Sequence, residues 1–529
     1  MKKILSVLLA AMIMFTAAGC DMIDRVKEEL FPEQENTIEL ENGEQDTEIS
    51  NSINVGVLDF DTFNPLTTES ETVREAMELV FEPLFELDEQ MHIIPVLAES
   101  YVLSADGKKV SITLKSGIKW HDGSELDAYD VGYTIKNIRN GMTTYTDLLS
   151  GVADHKITGD TSLEITLRNP VPNFVALLTF PIVKYQTKLD KSNTYTPIGT
   201  GPFKFDGKLS TDKMQFSAYD EYREGRPAAD KVFVVFAPDL NKYHSMFEAS
   251  EIDVITSDMV DLTQYMPKGG IKINKFVTNK LTFLGYNFHT TSLWGNETRV
   301  GLAQLIDKDD IITSVIYSHG FPVDVPINPS SYLYSADKTV FHADEISAVE
   351  HLKKDGWELN PAGNYVRNFN NSKQALSLRL LTNGESAEKV GVANKIAEYF
   401  GKMGVVVKVE AETYDRYINR INEKDFDMFI GEIELGSNLD LSPLIASSWN
   451  YFTYKNTDVD TLIAQLGMTS GEEEQKLLFN QLADVLMKDM PFVPLYYREG
   501  CVLSGAKIKA EVEPSVSTFY RNCEKWSVK

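Results

Sequence analysis

The chain has 529 residues, 43% of them hydrophobic and 10% aromatic, with 51 basic side chains against 78 acidic ones for a formal net charge of -27. That length and apolar content suit large cores in a body of two or three lobes, whereas the negative charge argues against a nucleic-acid partner, whose phosphates need a basic stripe. Only three cysteines occur, so the body is not a disulfide-stapled scaffold. Cys501 and Cys523 are either one bond or two small buried apolar side chains.

Lys2 and Lys3 precede an apolar run from Ile4 to Phe15, and Ala17-Ala18-Gly19-Cys20 has the small residues of a cleavage site ending on cysteine, with alanine at the position where lipoprotein signals most often carry leucine. The run is short for a membrane span, which takes about 20 apolar residues. Residues 1–19 therefore read as a lipoprotein signal and Cys20 as the lipidated N-terminus. Between Lys27 and Arg74 there is no basic residue, while glutamates from Glu28 to Glu48 accumulate with few apolar neighbours. Residues 20–52 thus read as an acidic, solvated tether.

From Ser52, SINVGVLDF reads as a strand and Asn64-Pro65 as a turn. Val73, Met77, Val80, Phe81 and Leu84 recur at helical spacing and read as core. Val110, Ile112 and Leu114 alternate with Ser111, Thr113 and Lys115 as in a half-buried strand, and Ala105-Asp106-Gly107 before them makes the turn of a hairpin. Asp127 with Asp130 three residues later predicts an N-cap opening a helix. Strands are expected at Leu163–Leu167 and Lys204–Tyr219. Beyond Asn287, the strand at Leu376–Leu380, the helix Ala387–Phe400 and the strand Val405–Val409 make a βαβ unit. A helix at Tyr414–Ile421 and a strand at Phe426–Ile433 extend it into a parallel sheet. A helix at Glu472–Lys488 stops at Pro491, and a strand follows at Phe492–Tyr497.

Catalytic and metal signatures are missing. There is no G-x-S-x-G elbow, Cys501 has no local partner motif, and the eight histidines are dispersed without H-x-x-x-H spacing. The glycines of Gly199-Thr200-Gly201 lack the lysine and helix of a phosphate loop. No enzyme, cofactor or metal is expected.

Several blocks together resemble one family. PVLAESY, LKSGIKWHDG and DAYDV between Pro95 and Val131, PIGTGPF at Pro197–Phe203, and YREGRP at Tyr222–Pro227 are similar in order and spacing to motifs of the family-5 extracellular solute-binding proteins. So are LGYN at Leu284–Asn287, VGLAQLIDKDDII from Val300, and NYFTYKNTDVDTL from Asn450. The resemblance implies an α/β, periplasmic-binding-protein-like fold of type II (cluster C), two-lobed, with an extra subdomain in the first lobe. The expected parts are a first lobe at 53–285 with an inserted subdomain at about 89–195, a second lobe at 286–490, and a segment 491–529 returning to the first. Two strands should form a hinge, near Thr282–Asn287 and Pro491–Leu495.

The implied function is a monomeric, lipid-anchored protein on the outer face of the cytoplasmic membrane that captures a di- or oligopeptide between its lobes and delivers it to ABC permease subunits. Sensing or adhesion on the same scaffold, or a nickel complex, haem or sugar as solute, stays open. His121 in WHDG is expected to be structural. Asn64, Thr67 and Thr68 fall in a loop at the cleft mouth, Tyr414 where peptide binders place a pocket aromatic, and Trp449 and Asn450 at the start of the last block. The aspartate that pairs with a peptide's ammonium has no exact counterpart, because four residues before Pro443 stands Leu439. Asp440, with Glu434 in reserve, is the expected counter-ion, or else Asp440 caps a helix over Leu441–Ala446.

Overall fold

The computed structural model describes residues 51–189, 195–257, 270–335 and 342–528. The signal segment, Cys20 and the tether as far as Ser50 lie outside them.

Strand β1 (Ser52–Leu58) is followed by a short helix, α1 (Glu71–Ala76), and by the hairpin β2 (Phe85–Leu87) and β3 (Ile93–Pro95). Four strands then form a separate antiparallel sheet in the order β4-β5-β7-β6: β4 (Ala98–Leu103), β5 (Lys109–Leu114), β6 (Val152–Gly159) and β7 (Ser162–Leu167). Val110, Ile112 and Leu114 are its buried side, as the period of two requires. Helix α2 (Ala128–Arg139) opens on the expected capping box: Asp127 accepts from the Tyr129 and Asp130 amides, and Asp130 accepts from the Asp127 amide.

Most of the remaining strands join β1 in one large sheet. They are β8 (Phe203–Lys208), β9 (Lys213–Ala218), β10 (Lys231–Ala237), β11 (Val254–Ser257), β12 (Lys272–Tyr286), β13 (Gly320–Pro322), β17 (Ser377–Asn383), β18 (Val406–Glu412), β19 (Met428–Glu434) and β20 (Phe492–Ser504); β14 (Glu358–Leu359), β15 (Tyr365–Phe369) and β16 (Ser372–Ala375) form a small sheet apart. The order β18-β17-β19-β12-β20-β11-β1-β10-β9-β8 puts the long strands β12 and β20 between two sets of shorter ones. Helix α3 (Ala387–Lys402) connects β17 to β18, and α4 (Tyr414–Glu423) connects β18 to β19. Both β18 and β19 pair parallel with β17, so this is the βαβ arrangement that the spacing predicts. Strand β20 continues past Tyr497 because its later residues pair with both β11 and β12.

Buried apolar residues gather on both faces of each half of this sheet. One cluster joins β1, the four-stranded sheet and the C-terminal Tyr520 and Trp526. Two others flank β17 and β19, and a fourth lies under β10 and β11. Cys501 belongs to that fourth cluster and Cys523 to the first, and both are buried with no disulfide between them. Of the two readings of this pair, the apolar one describes the structure.

Where β12 passes from one half to the other its register breaks. Val277 pairs with Glu499 and Leu281 with Tyr497, so Thr278, Asn279 and Lys280 face Arg498 alone. This bulge lies a few residues before the Thr282–Asn287 hinge expected from sequence, and a bulge bends a strand and redirects its side chains. Pro494, which has no amide to donate, sits at a second register shift.

Candidate functional site

A cavity of about 980 Å³ opens at this junction. Its walls come from distant parts of the chain: α1 and the residues after it, the β12 bulge at Thr278–Lys280, the end of β19 and the loop after it at Glu434–Ser437, and the C-terminal stretch Val516–Glu524.

The first wall is a row of carboxylates. Val73, Met77, Val80, Phe81 and Leu84 are buried in the core, and this turns Glu71, Glu75, Glu78 and Glu82, spaced by four, three and four, toward the cavity they line. Glu86 on β2 continues the row. Most of these groups are engaged by the protein. Glu75 accepts a hydrogen bond from the Thr256 hydroxyl. Glu78 accepts from the backbone amides of Phe519 and Tyr520, both at 2.9 Å, and burial pushes its carboxyl well above the usual range against those two donors. Glu82 accepts from the Thr200 hydroxyl at 2.8 Å and the Tyr222 hydroxyl at 3.0 Å, and pairs with Arg223. Glu86 has no such partner. Burial, reinforced by Glu82, raises it to about 7, while Arg521 and Arg223 act in the opposite direction.

The motifs that carry the resemblance buttress this wall. A Cβ at Gly199 would lie 1.8 Å from the Val80 carbonyl oxygen, and one at Gly201 2.8 Å from the same atom, so only glycine lets the turn approach. The Gly201 amide donates to that carbonyl at 2.8 Å. His121 clasps the turn from outside: its amide donates to the Gly199 carbonyl at 2.9 Å, its Nδ1 accepts from the Gly199 amide at 3.3 Å, and its Nε2 then donates to the Gly201 carbonyl at 2.9 Å. Burial lowers this imidazole to about 4, which keeps it neutral. The P-I-G-T-G-P-F turn and the WHDG turn together hold Thr200 against Glu82.

Of the residues proposed from sequence, Glu434 lines the cavity, exposed, opposite Lys280 in the β12–β19 ladder. The other seven lie outside its lining. Asn64, Thr67 and Thr68 are buried. The Asn64 side chain donates to the Lys188 carbonyl at 3.1 Å and accepts from the Leu66 amide at 3.1 Å, the Asn64 backbone carbonyl accepts from the Thr67 and Thr68 amides, and the Thr68 hydroxyl donates to Asp61. That is the turn reading of Asn64-Pro65. Asn450 is likewise buried, donating to the Ala446 and Tyr454 carbonyls and accepting from the Phe452 and Tyr454 amides. Asp440 accepts from the Ser442 amide at 2.8 Å and the Ser442 hydroxyl, beside a helix of four residues (Ser442–Ile445) whose N-cap position is Leu441. Tyr414 and Trp449 are exposed. The Trp449 ring packs edge-on against Tyr451 at 4.7 Å, with the Lys424 ammonium 5.9 Å from both rings.

The apolar spacing of that stretch points to the core and leaves the glutamate row unmarked. The signal was present, as acidic residues at helical spacing on the opposite face.

Two mixed halves on one bulged central pair of strands, with a cavity at their junction, define a two-lobed solute-binding protein. The family profile of the bacterial extracellular solute-binding proteins, family 5 Middle, matches residues 92–456, and the chain belongs to that family, whose members serve ABC importers as substrate-binding proteins. It is similar to the oligopeptide-binding protein AppA of Bacillus subtilis (strain 168), 24% identical over 88% of this chain and 89% of that one. AppA in complex with a nonapeptide superposes with a TM-score of 0.62 at 22% identity, covering 91% of this chain and 99% of that one. The nickel-binding protein NikA of Staphylococcus aureus is 23% identical over 81% of this chain and 85% of that one. The periplasmic murein tripeptide binding protein MppA, in its unliganded open form, shares the fold with a TM-score of 0.77 at 17% identity, over 91% of this chain and 98% of that one.

Proposed function

We propose that this protein captures a peptide in the cavity between its lobes and delivers it to an ABC permease. The observation that supports peptide over a smaller solute is the cavity itself. At about 980 Å³ it lies at the upper end of small-molecule sites, which run to roughly 1,000 Å³, and offers an extended chain room for several residues. Thr278, Asn279, Ser437 and the charged rows supply polar groups along its length, as main-chain recognition of an extended peptide requires. Glu434 faces the solute in this reading, and Asp440 keeps its local bonds to Ser442. A titration with a random tripeptide pool tests the reading. Saturable binding should stabilise the fold by about 2.7 kcal/mol at a hundredfold excess over Kd, whereas no shift with the pool, beside a shift with a nickel chelate or a sugar, would reject it.

In the same reading, residues 1–19 are cleaved, Cys20 is lipidated, and residues 20–52 tether a monomeric body of two lobes (53–285 and 286–490, with 491–529 returning) outside the membrane. More than one acyl chain anchors firmly because each buried methylene contributes about 0.8 kcal/mol. Cys20→Ala should release the protein or leave it unprocessed, and unchanged membrane fractionation with unchanged mature mass would reject the anchor.

A further inference from the structure

Resting on the reading of this cavity as the solute site, we infer that the solute is cationic and that Glu86 is the carboxylate that receives its ammonium or guanidinium group. Among the described residues, nine carboxylates and four cationic side chains line the cavity, so the site as a whole favours positive charge. Glu75, Glu78 and Glu82 are already held by protein donors. Glu434 and Asp147 are exposed, where water screens them.

Glu86 differs from all of these. It is half-buried between the core residues Phe85 and Leu87 and makes neither a hydrogen bond nor an ion pair. The charged groups that act on it are Glu78, Glu82, Glu224, Arg223 and Arg521. Arg223 is committed to Glu82 and Glu224, and Arg521 forms no ion pair with it within 4 Å. A second observation on the same wall is independent of the carboxylates. The Tyr520 side chain is 1% exposed and lines the cavity, and its hydroxyl, beside Thr256, has no well-formed hydrogen bond. A carboxylate with no partner, on a wall where a phenol hydroxyl also lacks a well-formed hydrogen bond, is the complement of a cation rich in N–H groups.

Burial holds Glu86 at about 7, so in the free protein it is partly protonated near neutrality. A bound cation favours the carboxylate, and the proton leaves as the solute arrives. Affinity for a cation therefore rises with pH through about 7 and levels off above it.

Calorimetric titration of the purified protein and of Glu86→Gln with tri-lysine, tri-alanine, tri-glutamate and spermidine separates the possibilities. Tri-lysine should bind roughly tenfold or more tighter than tri-alanine, tri-glutamate should bind weakest, and Glu86→Gln should erase the preference for tri-lysine over tri-alanine. In the unaltered protein, the tri-lysine enthalpy should vary with buffer ionisation heat near pH 7, reporting proton release without reliance on any variant. Equal affinity for the three tripeptides, or a preference that survives in Glu86→Gln, overturns the inference and leaves peptide capture standing. Glu86-dependent binding of spermidine with no tripeptide bound upholds the cation and overturns the peptide, and no binding of any of the four overturns both.

Discussion

Replacing Trp120 with alanine should lower the unfolding free energy by about 3–5 kcal/mol, the range for removing a large buried aromatic. Trp120 is fully buried in the core shared by β1, the four-stranded sheet and the C-terminal segment. Its indole N–H donates to Asp130 at 3.2 Å, and the same aspartate holds the Asp127 amide at 3.0 Å and the Tyr185 amide at 2.6 Å. Cavity formation and a weakened helix start therefore add together. Trp120→Phe, which keeps a ring but takes the indole N–H from buried Asp130, should cost roughly 1–3 kcal/mol. Urea unfolding measures both, and affinity per folded molecule should not change. An alanine variant within 1 kcal/mol of the parent would contradict the scaffold role of the WHDG block.

Lys389→Met should cost about 3 kcal/mol, near the lower end for breaking a buried ion pair. The Lys389 ammonium donates to the Thr282 hydroxyl at 2.9 Å, Glu388 at 3.0 Å and Glu432 at 2.6 Å. Arg498 pairs with both glutamates, and the Tyr496 hydroxyl donates to Glu388 at 2.7 Å. Thr282 is on β12, Tyr496 and Arg498 on β20, Glu432 on β19 and the other two on α3, so the lysine ties the central strands to one lobe. Without it two carboxylates share one arginine. Lys389→Met with Glu432→Leu should recover most of the loss, because the uncompensated charge is gone. A single variant that unfolds at the parent's urea midpoint would show that the network adds nothing.

The sequence carried the architecture where local chemistry decides it. The β17–α3–β18–α4–β19 run follows from alternating and helical apolar spacing, and the start of α2 from a capping box that needs only neighbouring residues. The apolar run alone ends β20 at Tyr497, where Arg498-Glu499-Gly500 interrupts it. The strand continues because β11 and β12 satisfy its backbone there, a fact about distant strands.

The same distance hid the site. Glutamates on the polar side of a helix ordinarily face water, and only the approach of Phe519 and Tyr520 from the far end of the chain encloses Glu78. Asn64, Thr68 and Asn450 look available in sequence but spend their side chains inside the protein: Asn64 on the Leu66 amide and the distant Lys188 carbonyl, Thr68 on the Asp61 carboxylate, and Asn450 on the Tyr454 carbonyl, in part the usual local competition of short polar residues. Glu434 is the residue that both readings share, since it ends the β19 strand whose position the periodicity fixes.

The central claim is that solute binds in this cavity, and the most direct measurement is the titration of a random tripeptide pool against the parent and Ser437→Trp. Ser437 lines the cavity from the loop after β19 and is partly exposed, so the indole fills the cavity without entering the core. With matched thermal melts confirming the fold, saturable binding should be present in the parent and lost in Ser437→Trp. Equal affinity in the two proteins would place the solute elsewhere and contradict the account.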